Sequence, residues 1–272
     1  MDYIDEDRRY HILANVFDDS TSSSTAADKI ASLATSPIDV DIDGLWTLIT
    51  CCAMKPPKQQ GKLVDVLVHL SKLPDAKTSD GRPITKYGMQ VWKDLPTLGW
   101  YLRELLDNVE DFCPCFPHEL IGEGKKEQQD VVSEYANLHR FLALLMATKE
   151  PVFNYSWFAL IVLREALEVS PARRIAGTSL DADVLSAAEW IKVLGGEIYQ
   201  WKEQFSDRLG RERDLWKGPP VYGFSKERWT FWRQRFGEVA RMDEDELGER
   251  ARTAAKEAEG MMVEIENREV SH

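Results

Sequence analysis

The chain has 272 residues, 43% of them hydrophobic and 29% charged, an ordinary balance for a globular protein with a sizeable core. Its formal net charge of −12 argues against a nucleic-acid surface, because binding phosphates needs clustered Lys and Arg to displace counterions. No apolar run approaches the roughly 18–20 residues that span a bilayer, and the acidic opening MDYIDEDRRY has no basic region leading into an apolar one, so neither a membrane segment nor a leader is expected.

A short helix is predicted over about 4–16. The Ser/Thr/Asp-rich DDSTSSSTAADK follows as a linker, then a second helix capped by Ser24 or Thr25 and running through Ala34. From Asp43 onward the apolar residues recur with helical spacing almost everywhere. In KLVDVLVHLSKL, Leu63, Val66, Leu67 and Leu70 share one face. A Pro/Gly/Asp-rich loop is predicted at about 74–83. In DLPTLGWYLRELLDNVEDF, Asp94 is placed to cap and Pro96 fits a first turn, and Leu98, Leu102, Leu105, Leu106, Val109 and Phe112 make one stripe. CPCFPHELIGEGK, 113–125, reads as a long loop.

A helix over about 128–148 buries Leu138, Phe141, Leu142 and Leu145. The segment YSWFALIVLREALEV, 155–169, is apolar on nearly every side and is expected to be central. The next helix, about 181–207, keeps Val184, Ala187, Ile191, Leu194, Ile198, Trp201 and Phe205 on one face, with Gly195 and Gly196 marking a kink or a close helix–helix approach. After KGPPVYGF come a helix from about Ser225 and a last one at about 243–267, with Leu247, Ala251, Ala254, Ala258, Met261, Met262 and Ile265 inward.

Nothing alternates with period two over a useful length, and no Asn-Gly or Asp-Gly turn joins two β-branched runs. The predicted fold class is therefore all-α: a single multi-helix domain of roughly eight to ten helices, mostly antiparallel neighbours, with no β-sheet. Residues 1–40 are assigned to an N-terminal helix and linker, and 41–268 to the helical domain.

Several stretches bear on chemistry. Cys113, Cys115 and His118 stand in a C-x-C-x-x-H array, three of the four ligands a structural zinc wants; no second ligand cluster accompanies them, so no metal is assigned. Four cysteines, with Cys51 and Cys52 adjacent, do not suggest a disulfide scaffold. A reduced cytoplasmic or nuclear location is expected. GEGKK at 122–126 lacks the strand and spacing of a phosphate loop, and the acidic runs lack the paired spacing of a magnesium–diphosphate site. No cofactor is expected. His69, His118 and His139 are bases only in the sense that any His is.

The most informative stretch is LREALE, 163–168, because Arg164 and Glu168 fall within the apolar face of their helix. A buried ion pair fixing helix register is one reading; a polar spot at the base of a pocket is the other. Trp229, Trp232 and Phe236 share a face flanked by Arg233, and Trp190 and Trp201 line another helix. Such a stripe is either core or the wall of an apolar ligand cavity. The ligand-binding candidates are Arg164, Glu168, Trp190, Trp229, Trp232 and Arg233; no catalytic residue is assigned.

The stretches VWKDLPTLGWYLRE (91–104), EYANLHRFLALLMA (134–147), ALIVLREALE (159–168), AAEWIKVLGGEIY (187–199) and RWTFWRQRFGEVA (228–240), with the Ala-rich ARTAAKEAEGMM, resemble the fungal domain-of-unknown-function family 3632. The resemblance runs from about Leu45 to Met262. It implies no catalytic residues. It does imply an association with secondary-metabolism genes. Two functions are thus expected from this sequence: foremost a non-catalytic interaction or scaffold protein with a protein partner, and alternatively a small-molecule binder or cofactor-free enzyme of isomerase or cyclase type acting on an apolar secondary metabolite.

Overall fold

The computed structural model describes residues 7–33, 41–78, 80–107, 128–174, 179–205, 214–218 and 222–270. Ten α-helices among the described residues bear out the all-α class, and they fall into two compact units, Met1–Phe153 and Asn154–His272. Among the described residues no helix is long and apolar enough to cross a membrane.

The first unit holds α1 (Arg8–Phe17), α2 (Ser23–Ser32), α3 (Ile42–Met54), α4 (Gln60–Ser71), α5 (Leu98–Asp107) and α6 (Gln128–Ala147). Helix α2 packs on α4, α1 packs on both, and α3 packs on α4, α5 and α6. The predicted face of α4, Leu63, Val66, Leu67 and Leu70, is buried. The cap of α2 is Ser22, not Ser24 or Thr25: its hydroxyl accepts from Thr25 N at 3.2 Å. The Ser/Thr-rich stretch is therefore mostly helix, with only 18–22 left as a turn. Lys62 of α4 ties that turn down, donating to Phe17 O at 3.0 Å and to Asp19 Oδ1 at 2.7 Å.

The expectation of no β-sheet is corrected by a small hairpin. Strands β1 (Thr85–Lys86) and β2 (Met89–Gln90) pair antiparallel. Its two central residues, Tyr87 and Gly88, have φ of 53° and 78°, as a type I′ hairpin turn requires. Tyr stands where Asn or Asp usually does, so a search for Asn-Gly or Asp-Gly passes over it. Helix α5 starts at Leu98, and Asp94 does not cap it: Asp94 Oδ2 accepts from Gln90 N at 2.7 Å at the end of the hairpin. Leu98, Leu102 and Leu105 are buried as expected. Val109 and Phe112 lie outside the described residues.

The second unit holds α7 (Ser156–Leu167), α8 (Leu180–Gln200), α9 (Lys226–Val239) and α10 (Glu249–Val270). Helix α8 packs against α7, α9 and α10, and α9 also packs on α7 and α10. Helix α8 ends at Gln200, several residues early. Backbone bonds take over there, Phe224 N donating to Glu203 O at 3.0 Å and Phe205 N to Tyr222 O at 2.7 Å. Trp201 and Phe205 therefore leave the helix face assigned to them, and Trp201 meets Phe224 edge-on at 4.9 Å. Of the two glycines in α8, Gly195 marks a close approach: a Cβ there would lie 2.8 Å from Ile265 Cδ1 on α10, whereas one at Gly196 would meet nothing within 4 Å.

A buried arginine, glutamate and tryptophan cluster as the candidate functional site

Helix α7 is apolar around most of its girth, and charged groups gather at its C-terminal turn. The last carbonyls of a helix have no partner within it. Arginine side chains supply two: Arg235 Nε donates to Leu167 O at 3.1 Å and Arg174 Nη1 to Glu165 O at 2.9 Å. Leu215 N donates to Glu168 O at 3.1 Å. Cations at this end also oppose the negative pole of the helix. Arg174 is held in turn by Asp183 in the first turn of α8.

At the centre sits Glu168, the C-terminal cap of α7, with 0% of its surface exposed. Its Oε1 accepts from Arg228 Nε at 2.8 Å and from Trp232 Nε1 at 2.9 Å. Its Oε2 accepts from Arg164 Nε at 3.2 Å and from Arg228 Nη2 at 3.4 Å. Arg164 and Arg228 are each 3% exposed. Arg228 Nη1 also donates to Gly223 O at 2.7 Å. Residues 228 and 232 are one turn apart on α9, as 164 and 168 are on α7, so two i,i+4 pairs from facing helices meet at one carboxylate. Ser225 fixes the start of α9, accepting from Arg228 N at 3.2 Å, and so sets that register.

Loop aromatics cover the two guanidinium groups. Arg164 lies 5.2 Å from the ring centre of half-buried Tyr222, and Arg228 lies 5.2 Å from that of half-buried Trp216. Burial pushes the Arg228 guanidinium below its ordinary pKa; Glu168 opposes that push and the neighbouring Arg164 reinforces it.

Of the six candidates read from the sequence, Arg164, Glu168 and Trp232 come together here. Trp190 and Trp229 are buried in the core. Arg233 points to α10, where its Nε meets Glu266 Oε1 at 3.1 Å. The sequence reading missed Arg228, although its spacing of four from Trp232 placed it on the same face. Tyr222 and Trp216 come from loops and carry no periodic signal. The array Cys113, Cys115 and His118 lies outside the described residues. Among the described residues no three His, Cys, Asp or Glu side chains gather to hold a metal. His139 is buried on α6, and burial pushes its pKa down to about 3, so it stays neutral at ordinary pH. Cys51 is disulfide-bonded, a departure from the reduced cysteines expected, while Cys52 is a free thiol that burial pushes up to about 12.

The first unit carries a different feature. Tyr87, at the hairpin turn, is 71% exposed and Trp100, in the first turn of α5, is 65% exposed. Their rings are 6.0 Å apart at 46°. Asp43 of α3 ties both carriers down, accepting from Lys86 Nζ at 2.5 Å and from Thr97 Oγ1 at 3.0 Å. Tyr87, Leu95 and Thr97 all have positive φ (53°, 42° and 69°), a cost for residues with a Cβ that the surrounding contacts must hold in place.

The second unit is thus a helical bundle locked by a saturated internal carboxylate. The chain belongs to the family described as Protein of unknown function (DUF3632), whose model matches residues 46–236. No curated protein and no solved structure matches the chain.

Proposed function

We propose that this chain works by binding a protein partner and is not a catalyst. The observation that carries the reading is the state of Glu168. A general base or acid needs an oxygen directed at substrate, and both oxygens of this carboxylate are taken up by Arg164, Arg228 and Trp232, with none of the glutamate's own surface exposed. Such a group fixes how α7 and α9 meet. The exposed Tyr87 and Trp100 support the binding half of the reading, since large aromatic residues dominate the energy of protein interfaces.

Native mass spectrometry of the protein purified gently from its own source tests this. The expected result is a mass excess of whole-protein size that a Trp100→Ala variant loses. The bare chain mass overturns the stable-partner reading. A second reading, a binder of an apolar secondary metabolite or a cofactor-free isomerase or cyclase, is favoured by one observation, the spare donor on Arg164. A bound mass of a few hundred daltons, lost in Arg164→Met, would select it.

A further inference from the structure

The packing of the first unit does not account for Tyr87 and Trp100. The first central position of a type I′ turn needs positive φ and ordinarily holds Asn, Asp or Gly. Tyr87 adopts it at φ 53° and leaves 71% of its surface exposed. Leu95 and Thr97, which lead into the helical turn that carries Trp100, have φ of 42° and 69°. Three of the five non-glycine residues with positive φ among the described residues thus lie at one exposed aromatic pair, where such conformations point to a functional constraint. Neither ring uses its polar atom: the Trp100 indole N–H and the Tyr87 hydroxyl have no hydrogen-bond partner among the described residues.

The charges beside the pair are closed on each other. Lys86 pairs with Asp43, whose other oxygen accepts from Thr97. Lys86 also lies 5.9 Å from the ring centre of Tyr87, so a basic ligand would meet a cation already at that ring, and an acidic one would meet the exposed Asp43 carboxylate. What the surface offers is apolar ring faces and two donors. Its complement is an uncharged segment rich in carbonyl acceptors and poor in N–H donors. A proline-rich segment has that chemistry: proline carries no N–H, the carbonyls of a polyproline II helix make no internal hydrogen bonds, and such helices dock on aromatic side chains. We propose that the Tyr87–Trp100 pair binds a proline-rich, extended segment of the protein partner. The inference rests on the protein-partner reading and names the kind of segment recognised. The hairpin and the ties from Asp43 to Lys86 and Thr97 fix both carriers beforehand, so little backbone freedom is lost when the segment docks.

The test is titration of the full chain with decaproline blocked at both ends, followed by the Gly88 amide and Trp100 indole N–H resonances. The expected result is a saturable shift of both that an uncharged Gly/Ser peptide of the same length does not produce. Trp100→Ala and Tyr87→Asn, read at the Gly88 amide, should each weaken binding by about tenfold or more. Asparagine suits the turn better than tyrosine, so the Tm of Tyr87→Asn should hold or rise while binding is lost, which separates recognition from folding. No shift, an equal shift with the Gly/Ser peptide, or unchanged affinity in both variants overturns the proposal. If a native whole-protein mass excess still depends on Trp100 in that event, the partner reading stands and only the proline-rich segment falls; if the excess is absent, both fall.

Discussion

Replacing Glu168 by Gln tests whether one carboxylate organises the second unit. The change is nearly isosteric, so it opens no cavity; what it removes is the charge that Arg164 and Arg228 share. Four hydrogen bonds from three side chains end on the two oxygens. An amide keeps one accepting oxygen and turns an NH2 group toward cationic donors on the other side. Breaking a buried pair at one partner costs about 3–5 kcal/mol, mostly the penalty of the charge left behind. At a urea slope of about 2–3 kcal/mol/M, that moves the unfolding midpoint down by about 1.5 M. Urea titration followed by tryptophan fluorescence reads this, with Trp232 reporting from the site itself. The double variant Arg164→Met/Glu168→Gln should lose less than the two single losses combined, because the neighbouring cation goes with the anion. A Glu168→Gln protein within about 1 kcal/mol of wild type would refute the reasoning, since the hydrogen bonds to a charged group alone should exceed that.

Trp232→Phe should destabilise by about 1 kcal/mol or more beyond Trp229→Phe, because the indole N–H of Trp232 bonds a charged acceptor whereas that of Trp229 has none; paired urea titrations give the difference. The pKa of His139 lies below the value of an unfolded histidine, so the unfolded chain takes up a proton that the folded one refuses. That contribution is whole above pH 6.5 and is lost as pH falls toward 3; at pH 5 the loss is about 2 kcal/mol, and comparing a His139→Phe variant with wild type at pH 8 and pH 5 should show it absent from the variant. Gly196→Ala should stabilise by up to about 1 kcal/mol, since the new methyl meets nothing. Gly195→Ala should gain less, because its Cβ must displace the end of Ile265, and the two melting temperatures rank them.

Helix positions were legible because they follow from the spacing of Leu, Val and Ile along the chain. The inward face of α4 and the close approach at Gly195 both came from local pattern. The ends of elements were less legible, because partners distant in sequence decide them. Helix α8 reads as continuing to about 207, and nothing within it says that 203–205 will instead bond to 222–224. Sequence alone does not single out Ser22 as the cap of α2, because Ser22, Ser24 and Thr25 offer the same hydroxyl and only the backbone direction chooses between them. The Tyr87-Gly88 turn shows the same limit, since the hairpin needs a backbone conformation that several residue types can be made to adopt.

The site divides along the same line. Arg164 and Glu168 announced themselves because two charges four residues apart on an apolar face must meet something. Their spacing could not say what, and the answer comes from α9, sixty residues further along. There Trp232 stands out as an aromatic, while Arg228 on the same face is less conspicuous than Arg233, which faces α10. An arginine beside aromatic residues reads alike whether it points inward or outward, and the cap at Ser225 settles which one points in. Charge bookkeeping recovers what pattern cannot. A buried carboxylate with more cationic donors than it can neutralise leaves one of them wanting, and that imbalance falls on Arg164, whose Nη1 has no hydrogen-bond partner.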